Sequence, residues 1–130
     1  MSDIFQLDLP AQVVATQGAA SLIRELQNKH GEVLFHQSGG CCDGSVPYCY
    51  AKADFKVGNN DVLLGYIENA PFYIHSAQFE YWKHTQLIID VKDGNGSEFS
   101  LEYGCGRSFF LDSRVFSEEE YSALKDANKI

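Results

Sequence analysis

Apolar residues recur along this chain with two distinct periods. Ala19, Leu22, Ile23 and Leu26 fall on one face at helical spacing, Thr16 stands where a helix N-cap is needed and Gly31 supplies a stop, so the spacing predicts an amphipathic helix from Thr16 to about Lys29. Val13–Ala15 reads as a short strand leading into it. Beyond the helix the period changes to two. Over residues 32–38, Val33 and Phe35 alternate with Leu34 and His36, the signature of a strand. The same signal returns at Val62–Tyr66, Phe72–His75, Gln86–Val91, Phe99–Tyr103 and Ser108–Leu111. Asp93-Gly94-Asn95-Gly96 predicts a hairpin turn between two of these strands, because Asn and Gly tolerate positive φ.

Between Ser76 and His84 the period of two disappears, and Phe79 and Trp82 at a spacing of three predict a helical turn. Ser117-Glu-Glu-Glu120 matches a capping box, with Tyr121 and Leu124 as the apolar side of a short terminal helix. These elements predict an α+β fold: a mostly antiparallel sheet of about six strands, an N-terminal amphipathic helix and a short C-terminal helix. A chain of 130 residues is long enough for one such core, so residues 1–130 are expected to form a single domain. A sheet of that size must protect its edges, and homodimerisation is one way.

Charge narrows the partners. With 18 acidic against 10 basic side chains the formal charge is −8, and no local cluster of Lys and Arg offsets it, so nucleic acid and anionic membranes are poor partners. No apolar run reaches the ~18 residues of a membrane span. The first residues also lack the basic-then-apolar order of a signal peptide, and a soluble cytoplasmic protein is expected. In that compartment thiols stay reduced, so four cysteines argue for metal binding or reactivity before structural disulfides.

Three of the four, Cys41, Cys42 and Cys49, share a glycine-rich window that begins at His36 and contains Gly39, Gly40, Gly44 and Pro47. Thiolates are soft donors suited to zinc, copper(I) or iron-sulfur clusters, and imidazole extends the range to other divalent ions. Cys42 and Cys49 are separated by a loop that lets both sulfurs face one ion. Cys41 and Cys42 point opposite ways in extended backbone and would need a turned conformation to share one. The candidate ligand set is Cys41, Cys42, Cys49 and Cys105, with His36 and His84 completing the shell or orienting it. The competing structural readings are buried thiols filling space, and half-buried imidazoles that make ordinary hydrogen bonds. Redox-active thiols are a third reading, weakened by the absence of a Cys-Xaa-Xaa-Cys motif.

The other polar candidates have ordinary explanations. His30 complements the dipole at a helix C-terminus, His75 belongs to the polar face of a strand, and Asp43 before Gly44 reads as a turn residue. No nucleophile elbow, P-loop or dinucleotide fingerprint is present. The aromatic stretch of Phe72, Tyr73, Phe79, Tyr81 and Trp82 suits core packing, with a docking surface as the other use.

Several of these segments also carry a resemblance. The block His36-Gln-Ser-Gly-Gly-Cys-Cys-Asp-Gly-Ser-Xaa-Pro-Xaa-Cys49, with Asp61-Val-Leu-Leu-Gly65, Trp82-Lys-His-Thr85, Ile89-Asp-Val91, Phe99-Ser-Leu-Glu102 and Ser113-Arg-Val-Phe116, resembles a family of small bacterial proteins of unknown function. Members of that family are often encoded beside NAD-dependent acetaldehyde dehydrogenase. The resemblance implies an accessory protein linked to alcohol or aldehyde oxidation, with an NAD-dependent aldehyde dehydrogenase as partner. A fainter likeness, in Ser38-Gly-Gly-Cys41 and the late Cys105-Gly106, is to the A-type iron-sulfur carrier (HesB-like) proteins, and implies an iron or cluster site. Tyr103 stands where that family has the first cysteine of its late pair, so its ligand set does not transfer unchanged. Two expectations result. The protein is a metal- or iron-sulfur-binding accessory factor, more a binder than an enzyme, whose cofactor is a metal ion or iron-sulfur cluster; or it is a protein–protein module that assists the dehydrogenase and holds only structural thiols.

Overall fold

A computed structural model of the chain describes residues 10–37, 47–94, 100–102 and 104–130, apart from the side chain of Tyr81. Its element order is β1 (Val13–Ala15), α1 (Gln17–His30), β2 (Val33–Gln37), β3 (Tyr48–Ala51), β4 (Asp61–Ile67), β5 (Ala70–His75), α2 (Ser76–Trp82), β6 (Thr85–Asp93), β7 (Arg107–Val115) and α3 (Glu118–Asp126). The strands form two sheets, ordered β1-β6-β7 and β3-β2-β5-β4. β1 pairs with β6 and β2 with β5 in parallel, while the pairs β2–β3, β4–β5 and β6–β7 are antiparallel. The fold is therefore α+β, as the alternating periods predict; the strands form two sheets, each with one parallel pair beside its antiparallel pairing.

The first helix forms where its caps require. Thr16 accepts a hydrogen bond from the Ala19 N–H at 3.2 Å and donates to Asp90 Oδ1 at 2.8 Å, which ties the N-terminus of α1 to β6. Gly31 ends it at φ +81°, a conformation that glycine adopts without strain. Ala19, Leu22, Ile23 and Leu26 are buried among Val33, Phe35 and Phe72 of one sheet and Leu87, Ile89 and Phe109 of the other. Phe35 stacks on Phe72 and meets Phe109 edge-on at 5.1 Å between centroids, so the two sheets share one core.

The turn between β4 and β5 closes with Glu68 and Asn69, both at positive φ, as a two-residue hairpin whose twist matches its strands. Glu at positive φ is uncommon. Here α1 holds it: Arg24 Nη1 lies 2.7 Å from Glu68 Oε1, and Gln27 Nε2 donates to the Glu68 carbonyl at 2.8 Å. The terminal helix has its full capping box between Ser117 and Glu120, and Arg114 holds the Glu120 carboxylate through two nitrogens at 2.9 Å. Those contacts lower the Glu120 carboxyl to about 2, the Arg114 hydrogen bond first among them.

Two expectations are corrected, and one strand is added. Residues 100–102 are a bend and turn rather than part of a strand, because their backbone docks on the free edge of β3 instead of pairing with β6. The partner of β6 is the longer β7, and the hairpin is spanned by residues 94–106, with the Gly94 N–H donating to the Gly106 carbonyl at 3.1 Å. Residues 95 and 96 of the expected turn lie outside the described residues. β3 itself was hidden inside the cysteine window, since no alternation of apolar and polar residues marks Tyr48-Cys-Tyr-Ala51.

Candidate functional site

The strand period places consecutive residues of β2 on opposite sides of the sheet. Phe35 and Gln37 face the core; His36 faces away from it. In the antiparallel pairing Phe35 lies opposite Cys49, so Cys49 and Gln37 are diagonal neighbours on the same core-facing side. Both polar groups of the Cys49 backbone point to the outer edge of β3. There the N–H donates to Ser100 Oγ at 2.8 Å, and the carbonyl accepts from the Leu101 N–H at 2.9 Å. The turn at residues 100–102 thereby completes the sheet edge and carries Glu102 inward.

Glu102 is 0% exposed. The Ser100 hydroxyl donates a short hydrogen bond to its Oε1, and the Phe109 N–H donates to Oε2 at 3.4 Å. Burial pushes the Glu102 carboxyl above the ordinary carboxylate range, against the pull of the Ser100 hydroxyl and backbone N–H groups. Cys49 is equally enclosed, and burial, reinforced by the charge of Glu102, pushes its thiol far above the ordinary value. Without a cation the sulfur stays protonated. Gln37 is also 0% exposed, and among the described residues neither its amide nitrogen nor its amide oxygen has a hydrogen-bond partner. An unsatisfied buried polar group costs about 1–3 kcal/mol.

Cys49, Ser100 and Glu102 thus form a linked polar nest at the edge of the core, with Gln37 a diagonal neighbour of Cys49 across the β2–β3 pair. Residues 38–46, which include Cys41 and Cys42, lie outside the described residues, but they connect the ends of the two strands that carry Gln37 and Cys49. The nest fits a cation on chemical grounds. It contains a sulfur and a carboxylate that are each penalised as lone anions, and on the same side of the sheet stands an amide with both polar atoms uncommitted among the described residues.

The other candidate ligands are placed elsewhere. His36 Nε2 lies 2.7 Å from Asp61 Oδ1, with both side chains 11% exposed, and its ring packs against Phe55 at 5.0 Å. Burial works to raise the Asp61 carboxyl, but the His36 hydrogen bond, the Gly58 N–H and the charges of His36 and His75 outweigh it and hold the group below its ordinary value. His36 and Cys49 face opposite sides of one sheet. Cys105 is exposed, and its thiol donates to the Arg107 carbonyl at 3.5 Å, while its own N–H donates to the Glu102 carbonyl at 3.0 Å. His84 is exposed between α2 and β6, where its carbonyl accepts from the Phe116 N–H. Among the described residues no three His, Cys, Asp or Glu side chains form a group able to hold a metal ion.

His75 has a more specific place than the polar face of a strand. It caps α2, its Nδ1 accepting from the Ala77 N–H at 3.1 Å. In the aromatic stretch, Phe72 is fully buried and Phe79 and Trp82 pack against the core, in line with the packing reading. Among the described residues no helix is long and apolar enough to cross a membrane.

Residues 22–115, which run from the middle of α1 to the last residue of β7, match a family described as a domain of unknown function, DUF779. The chain belongs to this family. The DUF779 match takes in both halves of the polar nest, β2–β3 and the turn at 100–102, together with the cysteine window between them. No curated protein matches the chain.

Sequence reasoning missed Gln37, Asp61, Ser100 and Glu102 as site residues. For Glu102 the obstacle was its setting in Phe99-Ser-Leu-Glu102, which as a strand would turn Ser100 and Glu102 to solvent. The turn reverses that: Ser100 and Glu102 are buried, and Leu101 is only half-buried.

Proposed function

We propose that this DUF779 protein is a non-enzymatic metal-binding accessory factor, whose centre lies at the base of the Gly39-Gly-Cys-Cys-Asp-Gly44 loop and draws on Cys41, Cys42 and Cys49. The observation that supports this reading is the nest itself: a buried thiol and a buried carboxylate with no basic side chain linked to them among the described residues, on the side of the sheet that carries an amide without partners among those residues, next to the ends of a loop that supplies two more thiols. A bound cation would offset the penalty that burial sets on the thiolate and carboxylate forms of these two groups. The resident group is a metal ion or an iron-sulfur cluster, and the partner is an NAD-dependent aldehyde dehydrogenase, as the resemblance to proteins encoded beside such enzymes implies.

Metal analysis and absorption spectra of anaerobically prepared protein test the reading. Stoichiometric metal, or a visible band after reconstitution with iron and sulfide, is the expected result; metal-free, colourless protein after loading with zinc and with iron and sulfide overturns it. The full burial of Cys49 favours one competing reading, a protein–protein module with structural thiols only. On that reading, replacing Cys42 and Cys49 by Ser leaves association with the dehydrogenase intact in a pull-down. On the metal reading it abolishes metal loading.

A further inference from the structure

We infer that the second half of β7, Leu111–Val115, is a homodimer interface, at which two copies of this chain join edge to edge as antiparallel strands about a two-fold axis through Ser113. The inference stands apart from the metal-binding reading and uses none of its residues.

Among the described residues the other sheet edges are each protected. β1 has only three residues, β3 carries the docked turn at residues 100–102, and β4 breaks register between Leu63 and Gly65. Short length, a cover and a bulge are devices that keep an edge from pairing. The second half of β7 has none of them. This strand is nine residues long, contains neither Pro nor Lys, ends the sheet β1-β6-β7 and pairs with β6 from Arg107 to Val115 without a shift. From Asp112 to Val115 every residue is exposed, so both faces of the strand stand clear, and Val115 is 70% exposed.

Hydrogen bonding fixes which part of this edge is open. The Phe116 N–H donates to the His84 carbonyl, so the backbone groups of residues 110, 112 and 114 turn to β6, and those of Leu111, Ser113 and Val115 turn outward. Nearer the start of the strand the outward groups are taken: the Phe109 N–H donates to Glu102, and the Arg107 carbonyl accepts from the Cys105 thiol. After Val115 the chain passes into α3. The open strip is therefore Leu111–Val115, and Ser113 is its midpoint.

A strip that pairs with itself about a two-fold axis must be complementary to its own reversed order. Antiparallel pairing about Ser113 sets Asp112 opposite Arg114 of the second copy and Leu111 opposite its Val115, and symmetry repeats both pairs. Opposite charges thus meet in the close, non-hydrogen-bonded positions, with apolar pairs beyond them. A register centred on Leu111 would need the Phe109 N–H, which Glu102 holds. In the single chain the Asp112 carboxylate accepts from the Ser113 N–H at 2.9 Å. On pairing, that N–H passes to the Ser113 carbonyl of the second copy, and the carboxylate is released to its Arg114. The Arg114 side chain is 45% exposed and keeps N–H donors beyond those it gives to Glu120 and Gln86. Val115 also lines an open hollow of about 380 Å³ with Phe116 and Tyr121. Leu111 of the second copy would sit at its rim and extend the apolar contact beyond the strands.

Sedimentation of the full chain under reducing conditions, needed because Cys105 is exposed, tests the inference. Wild type should shift with concentration from 14.5 kDa toward twice that mass; a mass that stays at the single chain up to ~1 mM overturns the inference. Asp112→Lys and Arg114→Glu each set like charges against one another across the axis, and each should weaken self-association at least ~10-fold. An equimolar mixture of the two should associate again, because each variant then meets the opposite charge of the other. Self-association that Asp112→Lys leaves unchanged, or a mixture that stays apart, overturns pairing about Ser113. Should Arg114→Glu fail to fold through losing its hold on Glu120, Ser113→Pro decides. It removes the central outward N–H while leaving both charges and the pairing with β6 in place. Self-association weakened at least ~10-fold supports the inference, and association as tight as that of wild type overturns it.

Discussion

His36 and Gln37 are neighbours in one strand, yet they meet opposite fates. His36, on the outer side of the sheet, finds Asp61 at 2.7 Å, and Asp61 in turn accepts from the Gly58 N–H at 2.8 Å; the donors and acceptors there are matched. Gln37, on the inner side, is a diagonal neighbour of Cys49, and its amide makes no hydrogen bond among the described residues. A matched polar pair is explained by the fold that contains it. The unmatched amide of Gln37 has no such explanation among the described residues. This contrast, rather than residue type, separates the structural histidine from the candidate ligands.

The outer pair offers the largest handle. Asp61→Asn leaves the imidazole without its anionic acceptor and weakens the anchor of residues 58–61, and is expected to destabilise the protein by about 2 kcal/mol, the scale of a hydrogen bond to a charged group, measured by urea unfolding at neutral pH. The Asp61 carboxyl is held below its ordinary value of 3.8, so its contribution is present above that pH and fades as pH falls through the lowered value. The gap between wild type and Asp61→Asn should therefore close in acid. A gap that is constant with pH would show that the pair is not an ionic contact.

The inner nest should respond with the opposite sign. Because Glu102 is held above its ordinary 4.5, its burial is tolerated below that pH and becomes a liability as pH rises through the raised value. In metal-free protein, Glu102→Gln is therefore expected to be the more stable form at neutral pH, by about 1–2 kcal/mol, with the advantage shrinking as pH falls toward 4.5. Loss of stability in metal-free Glu102→Gln at neutral pH would place Glu102 with Asp61 as a structural carboxylate. The smallest effect belongs to Gln37→Met, which keeps volume and removes the orphaned amide. It should leave metal-free stability unchanged or raise it by about 1 kcal/mol, and a clear loss in the same unfolding measurement would mean that the amide has a partner.

The sequence carried the helices well because helix ends are local chemistry: Thr16, Gly31 and the Ser117–Glu120 box mark their own positions. Strands that alternate were legible too. β3 was not, since Tyr48-Cys-Tyr-Ala51 has no polar face, and its place is fixed by pairing with β2 and by the docked turn at 100–102. At the candidate site, the cysteine window was visible as composition, whereas the role of Glu102 was invisible. It depends on a turn crossing from one sheet to the edge of the other, about fifty positions after Cys49, and no local pattern encodes that crossing.

The same turn links two things that are separate along the chain. Ser100 Oγ accepts from the N–H of Cys49 while its hydroxyl donates to Glu102, so a shift of the β6–β7 connection moves the carboxylate and loosens the edge of β3 together. Anything that seats on that connection would be felt at the sulfur.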